Sequence, residues 1–322
     1  MCHVDAGFDR RARGGVRRCG VPAAPDNAAM PAHALALVLV AAMLHALWNI
    51  VAKKAGGNHH FALISVLLTC ALWAPAALWF GLHEAVRWGA LEWAVLAASA
   101  LVHMLYFTVL LTGYRKADLT VVYPVARGSG PLLAAGAAVL LLGERLTALG
   151  AAGVVAVCGG VFLIAGGPAL WRHAHDGAAR RRALAGLRWG ALTGALIAGY
   201  TVIDGYAVKV LLIGPVLVDY VGNLLRVPIL LPTSLRDLPG LRVAWRSQWR
   251  HALVVATLGP LAYILVLSAV QVAPLSHVAP AREISMLFAA LLGGRLLGEG
   301  DRGLRLAGAA CMAAGVVALA TA

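Results

Sequence analysis

Ten apolar stretches, each long enough to cross a lipid bilayer, follow one another from residue 31 to residue 321 with short polar breaks between them. About 20 apolar residues suffice for a helix to span the hydrocarbon core. The stretches fall at 31–52, 60–82, 91–113, 119–142, 147–166, 187–209, 213–234, 252–272, 276–298 and 304–321. Backbone groups facing lipid find no water to bond, so such segments must satisfy their hydrogen bonds internally, as helices. The expected fold class is therefore all-α, a polytopic membrane protein with ten transmembrane helices. Composition agrees, since 61% of the 322 residues are hydrophobic, against roughly 45–50% in soluble globular domains.

Charge and cysteine content exclude other classes. The net charge of +13 does not point to nucleic acid, because the basic residues are scattered among loops, as at Arg180, Arg181 and Arg182. Anchoring of those loops at an anionic membrane face explains them. Cys2, Cys19, Cys70, Cys158 and Cys311 show neither paired spacing nor histidine partners, so no disulfide framework, metal or other cofactor is expected. Residues 1–29 are Arg-rich and lack the apolar core of a signal peptide. They read as a disordered leader or, the favoured alternative, as sequence preceding a true start at Met30.

The chain repeats itself at a constant offset of 155 residues. Ala126, Arg127, Leu142, Gly143, Glu144, Gly153 and Gly160 recur as Ala281, Arg282, Leu297, Gly298, Glu299, Gly308 and Gly315. Ala52 and Lys54 recur as Ala207 and Lys209, and Asn49 meets the related Asp204. One unchanged register from first to last helix indicates duplication, with repeat one at 31–166, a basic linker at 167–186 and repeat two at 187–322. Five spans per repeat oblige the second copy to enter the membrane in the opposite sense, which makes the pair inverted. Two such halves can exchange conformations, giving a route to alternating access.

Several of these segments resemble the EamA domains of the drug/metabolite transporter superfamily. The resemblance rests on Leu141-Leu142-Gly143-Glu144 and Leu296-Leu297-Gly298-Glu299-Gly300, each followed by a Gly-rich span, and on His45-Ala46-Leu47-Trp48-Asn49, Tyr123-Pro124-Val125-Ala126-Arg127 and Ala281-Arg282-Glu283. It implies two five-helix domains around a central cavity and secondary transport or export of metabolites across a bacterial-type inner membrane, without naming the solute. It also implies cytoplasmic termini, from which charge placement departs. Fifteen Lys/Arg flank the ends of spans 1, 3, 5, 7 and 9, against three (Arg87, Arg145, Lys209) on the other side. The positive-inside rule puts both termini outside.

Ionisable residues inside a span cost about 2.5–3.5 kcal/mol on insertion scales and mark candidate function. The sixteen residues from Gly128 to Gly143 make about 24 Å of helix, too short for a core about 30 Å thick, so span 4 must include Arg127. The same holds for Arg282 in span 9. Together the two guanidiniums can bind a carboxylate or phosphate, or pair internally with Glu283, Asp204 or Asp219. His45 and Asn49 in span 1 share a helical face, as do Tyr200 and Asp204 in span 6, so two polar faces are expected to look at each other. Asp204 is the candidate for a coupled proton. Span 7 places Asp219, Asn223 and Arg226 on one stripe, and His103, Tyr106 and Tyr123 are candidate lining residues.

Glu144 and Glu299 are expected to serve the helix that follows each of them. Ala152, Ala156 and Gly160, with Ala307, Cys311 and Gly315, form small-residue stripes suited to internal packing or a homodimer. Pro124, Pro131 and Pro280 can bend spans 4 and 9. The expected partners are thus a small-molecule solute, a proton and lipid. No P-loop, HExxH or GxSxG is present, so the leading reading is a secondary transporter and not an enzyme. An enzyme of lipid-linked substrates and a non-transporting scaffold subunit are the alternatives.

Overall fold

A computed structural model describes residues 29–55, 58–117, 119–165, 177–292 and 302–322. In chain order these form α1 (Ala32–Lys54), α2 (His59–Trp79), a 3-10 turn (Leu82–Arg87), α3 (Ala90–Lys116), α4 (Leu119–Leu141), α5 (Ala148–Ile164), α6 (Gly177–Lys209), α7 (Pro215–Leu235), α8 (Leu238–Val272), α9 (Leu275–Ala281), a second 3-10 turn (Arg282–Ile284), α10 (Ser285–Leu292) and α11 (Arg302–Thr321). There is no strand among the described residues. Eight helices are long and apolar enough to span a membrane, and α5 is a shorter apolar helix of 17 residues. With the broken α9–α10 segment, this matches the ten spans read from the sequence. The protein is an all-α, multi-pass membrane protein. Residues 1–28, most of the linker (166–176) and Glu299 lie outside the described residues.

Local chemistry sets the helix limits. The side chains of Asn58, Thr147 and Asp237 accept hydrogen bonds from the backbone N–H of Phe61, Gly150 and Gly240, capping α2, α5 and α8. Pro215 opens α7, where a missing N–H costs nothing. Gly143, at φ +70°, ends α4 in the left-handed conformation that glycine adopts without strain.

Two expected spans differ in length or continuity. Span 8 is part of a 35-residue helix beginning at Leu238, about 52 Å long at 1.5 Å per residue. Its first turns therefore project beyond a bilayer core. Span 9 is not one helix. Pro280 removes a donor just before the 3-10 turn, and α9 and α10 meet there with their backbone re-aimed at Arg282 and Glu283.

The outer surface carries leucines, valines and tryptophans, as a lipid-facing surface must, while buried polar side chains gather inside. α4 packs along α6, α1 along α8, α3 against α6, and α2 against both α7 and α8. Most of these contacts join the first five spans to the last five. α5 and α11 cross in opposite directions at backbone distance. A Cβ on Gly153 would stand 2.9 Å from the Gly315 carbonyl, and one on Gly308 2.8 Å from the Gly160 carbonyl. At the 155-residue offset these two contacts map onto each other. The close stripe is therefore made of Gly153, Gly160, Gly308 and Gly315. The expected Ala152, Ala307 and Cys311 are exposed and take no part.

Candidate functional site

A cavity of about 300 Å³ lies in the middle of the bundle. Its lining comes from the middle stretches of the helices, with Ala41 to Asn49 of α1, Ser65 to Thr69 of α2, Asp219 to Arg226 of α7 and Val255 to Val266 of α8. Ala34 and Val38 of α1 join Val154, Val157, Met312 and Leu319 in an apolar core.

Arg127 from α4 and Arg282 from the α9–α10 break converge on one carboxylate. Arg127 Nη1 donates to Glu283 Oε2 at 3.3 Å, and Arg282 Nε lies 3.5 Å from Oε1. Glu283 is 2% exposed, so the helix break is what brings this carboxylate inward. Arg282 Nη2 also donates to Thr201 Oγ1 at 3.4 Å. The triad carries two positive charges against one negative, and both arginines line the cavity. An anionic group entering it would meet unsatisfied guanidinium donors and an excess charge in a poorly screened site.

A second polar wall comes from α7. Asn223 Nδ2 donates to Asp219 Oδ2 at 3.1 Å, and Arg226 Nη1 donates to Asn223 Oδ1 at 3.3 Å. The asparagine amide thereby relays between the opposite charges of Asp219 and Arg226. Arg226 Nε is buried and has no hydrogen-bond partner.

The first and sixth spans bring His45, Asn49 and Tyr200 to the same cavity, while Asp204 does not reach it. Asn49 Nδ2 turns back onto the His45 carbonyl at 2.7 Å, and the His45 ring meets Trp48 edge-on at 4.9 Å. Tyr200 lines the cavity and stacks on His103 with ring centroids 3.9 Å apart. Asp204, one turn further on, is 1% exposed and sits behind the lining, where it accepts the Tyr263 hydroxyl hydrogen bond. Tyr123 is also not part of the lining, and its ring lies 5.9 Å from Arg127 Cζ. Of the thirteen candidate site residues, His45, Asn49, His103, Tyr106, Arg127, Tyr200, Asp219, Asn223, Arg226, Arg282 and Glu283 share the cavity, and Tyr123 and Asp204 stand behind it.

Sequence reasoning missed Trp48, Ser65, Thr69 and Tyr263, all of which line the cavity. Trp48 follows His45 by three residues, a spacing that predicts a shared face. Tyr263 is the lone tyrosine of the 252–272 span, a usable but weak signal.

Glu144 acts away from the cavity and not on the helix that follows it. Its carboxylate accepts the N–H groups of Leu275 and Ser276 at 2.7 and 2.8 Å and the Lys209 ammonium at 2.8 Å. It caps α9, across the molecule, because Gly143 turns the chain there while Thr147 already caps α5. Burial raises the Glu144 pKa, but the Lys209 charge and these donors outweigh it and hold the carboxyl below its usual range. Exposed Asp237, before α8, is likewise held low, first by the Gly240 N–H and then by His60, whose Nε2 lies 3.0 Å away.

Comparison with known proteins agrees with this architecture. Residues 33–166, which hold the first five spans, match the model of the EamA-like transporter family. No curated protein matches the sequence. Solved structures match in 27 chains. One crystal structure of a protein has a TM-score of 0.65 at 16% identity, over 88% of this chain and 95% of its own. At that identity the likeness shows a shared fold.

Proposed function

We propose that this protein is a secondary transporter that carries a small polar or anionic metabolite across an inner membrane by alternating access, its two five-helix halves inverted about the central cavity. The observation that carries the reading is the Arg127–Glu283–Arg282 triad. Each half supplies one arginine at the same repeat position, and the pair converges on a cavity in the middle of the bundle. A cavity of about 300 Å³ falls at the small end of ligand pockets and suits a metabolite better than a polymer or lipid chain. The excess positive charge favours a carboxylate- or phosphate-bearing solute. In this reading the Lys/Arg-rich end is cytoplasmic and both termini lie outside.

The test is flux. Purified protein is screened by thermal shift against single metabolites, since a bound solute raises apparent stability by mass action. Radiolabelled hits are then followed into proteoliposomes. Uptake should saturate, and Arg127→Gln or Arg282→Gln should reduce it at least tenfold while the protein stays folded. Flux that both variants leave intact would contradict a solute role for the triad.

A further inference from the structure

Among the charged groups around the cavity that lack an ion pair with Arg or Lys, Asp204 is the most buried. It lies in the C-terminal third of α6 at 1% exposure, and no Arg or Lys among the described residues stands within 4.0 Å of it. Its Oδ1 has no hydrogen-bond partner, and its Oδ2 accepts from the Tyr263 hydroxyl of α8. From α3, His103 Nε2 stands 4.0 Å from Oδ2, with Ser99 facing the same carboxyl. From α7, Arg226 and Asp219 act on it through space, and Arg282 acts from the helix break. An unpaired carboxylate inside a membrane span is costly and calls for a reason. Its nearest neighbours, a phenol and an imidazole, are proton-exchanging groups. They are a poor cage for a hard metal cation, which requires a shell of oxygen ligands.

We infer that Asp204 is a proton-binding site coupled to the solute cavity, loaded and emptied through His103; the coupling rests on the transporter reading above. His103 Nδ1 lies 3.0 Å from the Ser99 carbonyl, which can only accept, so Nδ1 carries the hydrogen and Nε2 holds the lone pair. His103, Tyr200 and Tyr263 line the cavity, whereas Asp204 does not. A proton arriving from the cavity adds to Nε2 and gives an imidazolium. A rotation of the ring closes the gap, and the proton passes to Asp204 Oδ2, leaving a neutral imidazole and a carboxylic acid. Discharge is the reverse.

The coupling follows from Arg226 and Arg282. While Asp204 is charged it absorbs part of their field, and once it is neutral that field is free to act on an anion in the cavity. Proton and anionic solute therefore favour each other's binding, and by linkage the effect is equal in both directions. This is the sign required for symport.

The experiment uses the full-length protein in detergent with the proton alone as ligand, so its outcome does not depend on finding a solute. Infrared difference spectra between about pH 5 and pH 8, the range in which an imidazole relay works, should show a carboxylic-acid carbonyl band. The band should vanish in Asp204→Asn and persist in Asp219→Asn and Glu283→Gln. Should Asp204→Asn fail to fold, Tyr263→Phe supplies the second reading. Loss of the phenol donor should move the band in frequency, and His103→Gln should slow its appearance after a pH jump. A wild-type spectrum with no such band, a band surviving in Asp204→Asn, or one unmoved in Tyr263→Phe would each overturn the assignment. If the band behaves as expected and no metabolite is carried in the flux assay, it is the transport reading that fails and the proton site that stands.

Discussion

The two halves of the cavity wall share one sequence register and differ in charge. The first half contributes His45, Trp48, Asn49, His103, Tyr106 and Arg127, with no carboxylate. At the 155-residue offset Asn49 becomes Asp204, Ile64 becomes Asp219 and Gly128 becomes Glu283. Every acidic group at the site therefore comes from the second half. At this offset the two halves share a pair of arginines, and only the second carries the counter-charges. A symmetric fold thus holds an asymmetric site, in which one arginine (Arg282) has its counter-ion beside it in the chain and the other (Arg127) must reach across the molecule for the same oxygen pair.

The largest expected effect comes from removing that shared carboxylate. Glu283→Gln leaves two guanidiniums buried without a counter-ion, and loss of one partner of a buried ion pair costs about 3–5 kcal/mol. The melting temperature in detergent should fall accordingly. Restoring the charge from the other half sharpens the comparison. A Cβ on Gly128 would have only an ordinary contact, 3.5 Å from the Cys158 carbonyl, so Gly128→Glu in the Glu283→Gln background should recover part of the loss. No recovery would mean that the two halves are not interchangeable around the triad.

A second contrast concerns how α6 and α1, the first helix of each half, are seated. α6 turns Gly186, Gly190 and Gly194 toward Val121, Val125 and Ser129 of α4, so closely that a Cβ at Gly186 would lie 2.6 Å from Val121 and one at Gly194 2.0 Å from Ser129 Oγ. The offset positions on α1 are Pro31, Leu35 and Leu39, side chains that keep their neighbours at a distance. Gly194→Leu should overpack its seam and cost about 1–3 kcal/mol. Leu39→Ala, at a half-buried position, should cost less, about 1 kcal/mol, because it leaves little enclosed space. Equal losses in the two variants, measured by thermal unfolding, would refute the difference between the seams.

The ten crossings were legible because lipid leaves the backbone no alternative. Arg127, Arg282 and Arg226 could be found from the cost of burying charge. What the sequence could not give was direction within a face. Asp204 and Tyr200 share a helical face, yet only Tyr200 reaches the cavity, because Tyr263 arrives from α8 to cover the carboxyl. The small-residue stripe was misplaced by one residue, since Gly153 and Ala152 are adjacent and only the crossing angle of α5 with α11 separates them. The role of Glu144 was misread for a related reason. Its partner, the start of α9, lies 131 residues away in sequence, and a local rule about the following helix cannot see it.

That Glu144 contact gives the smallest effect and tests whether the halves are tied by chemistry outside the cavity. Removing a helix cap costs about 0.5–2 kcal/mol, and Glu144→Gln should fall in that range while leaving solute binding unchanged. The loss should depend on pH in a defined sense. A carboxyl held low in the folded protein contributes stability that is fully present above its unfolded pKa, about 4.3 for Glu. That contribution declines as the pH falls through the folded value. The difference in melting temperature between wild type and Glu144→Gln should therefore be constant near neutrality and shrink below about pH 4. A difference that grew on acidification would reverse the sign and place the charge of Glu144 against the fold, which the Lys209 ammonium at 2.8 Å does not allow.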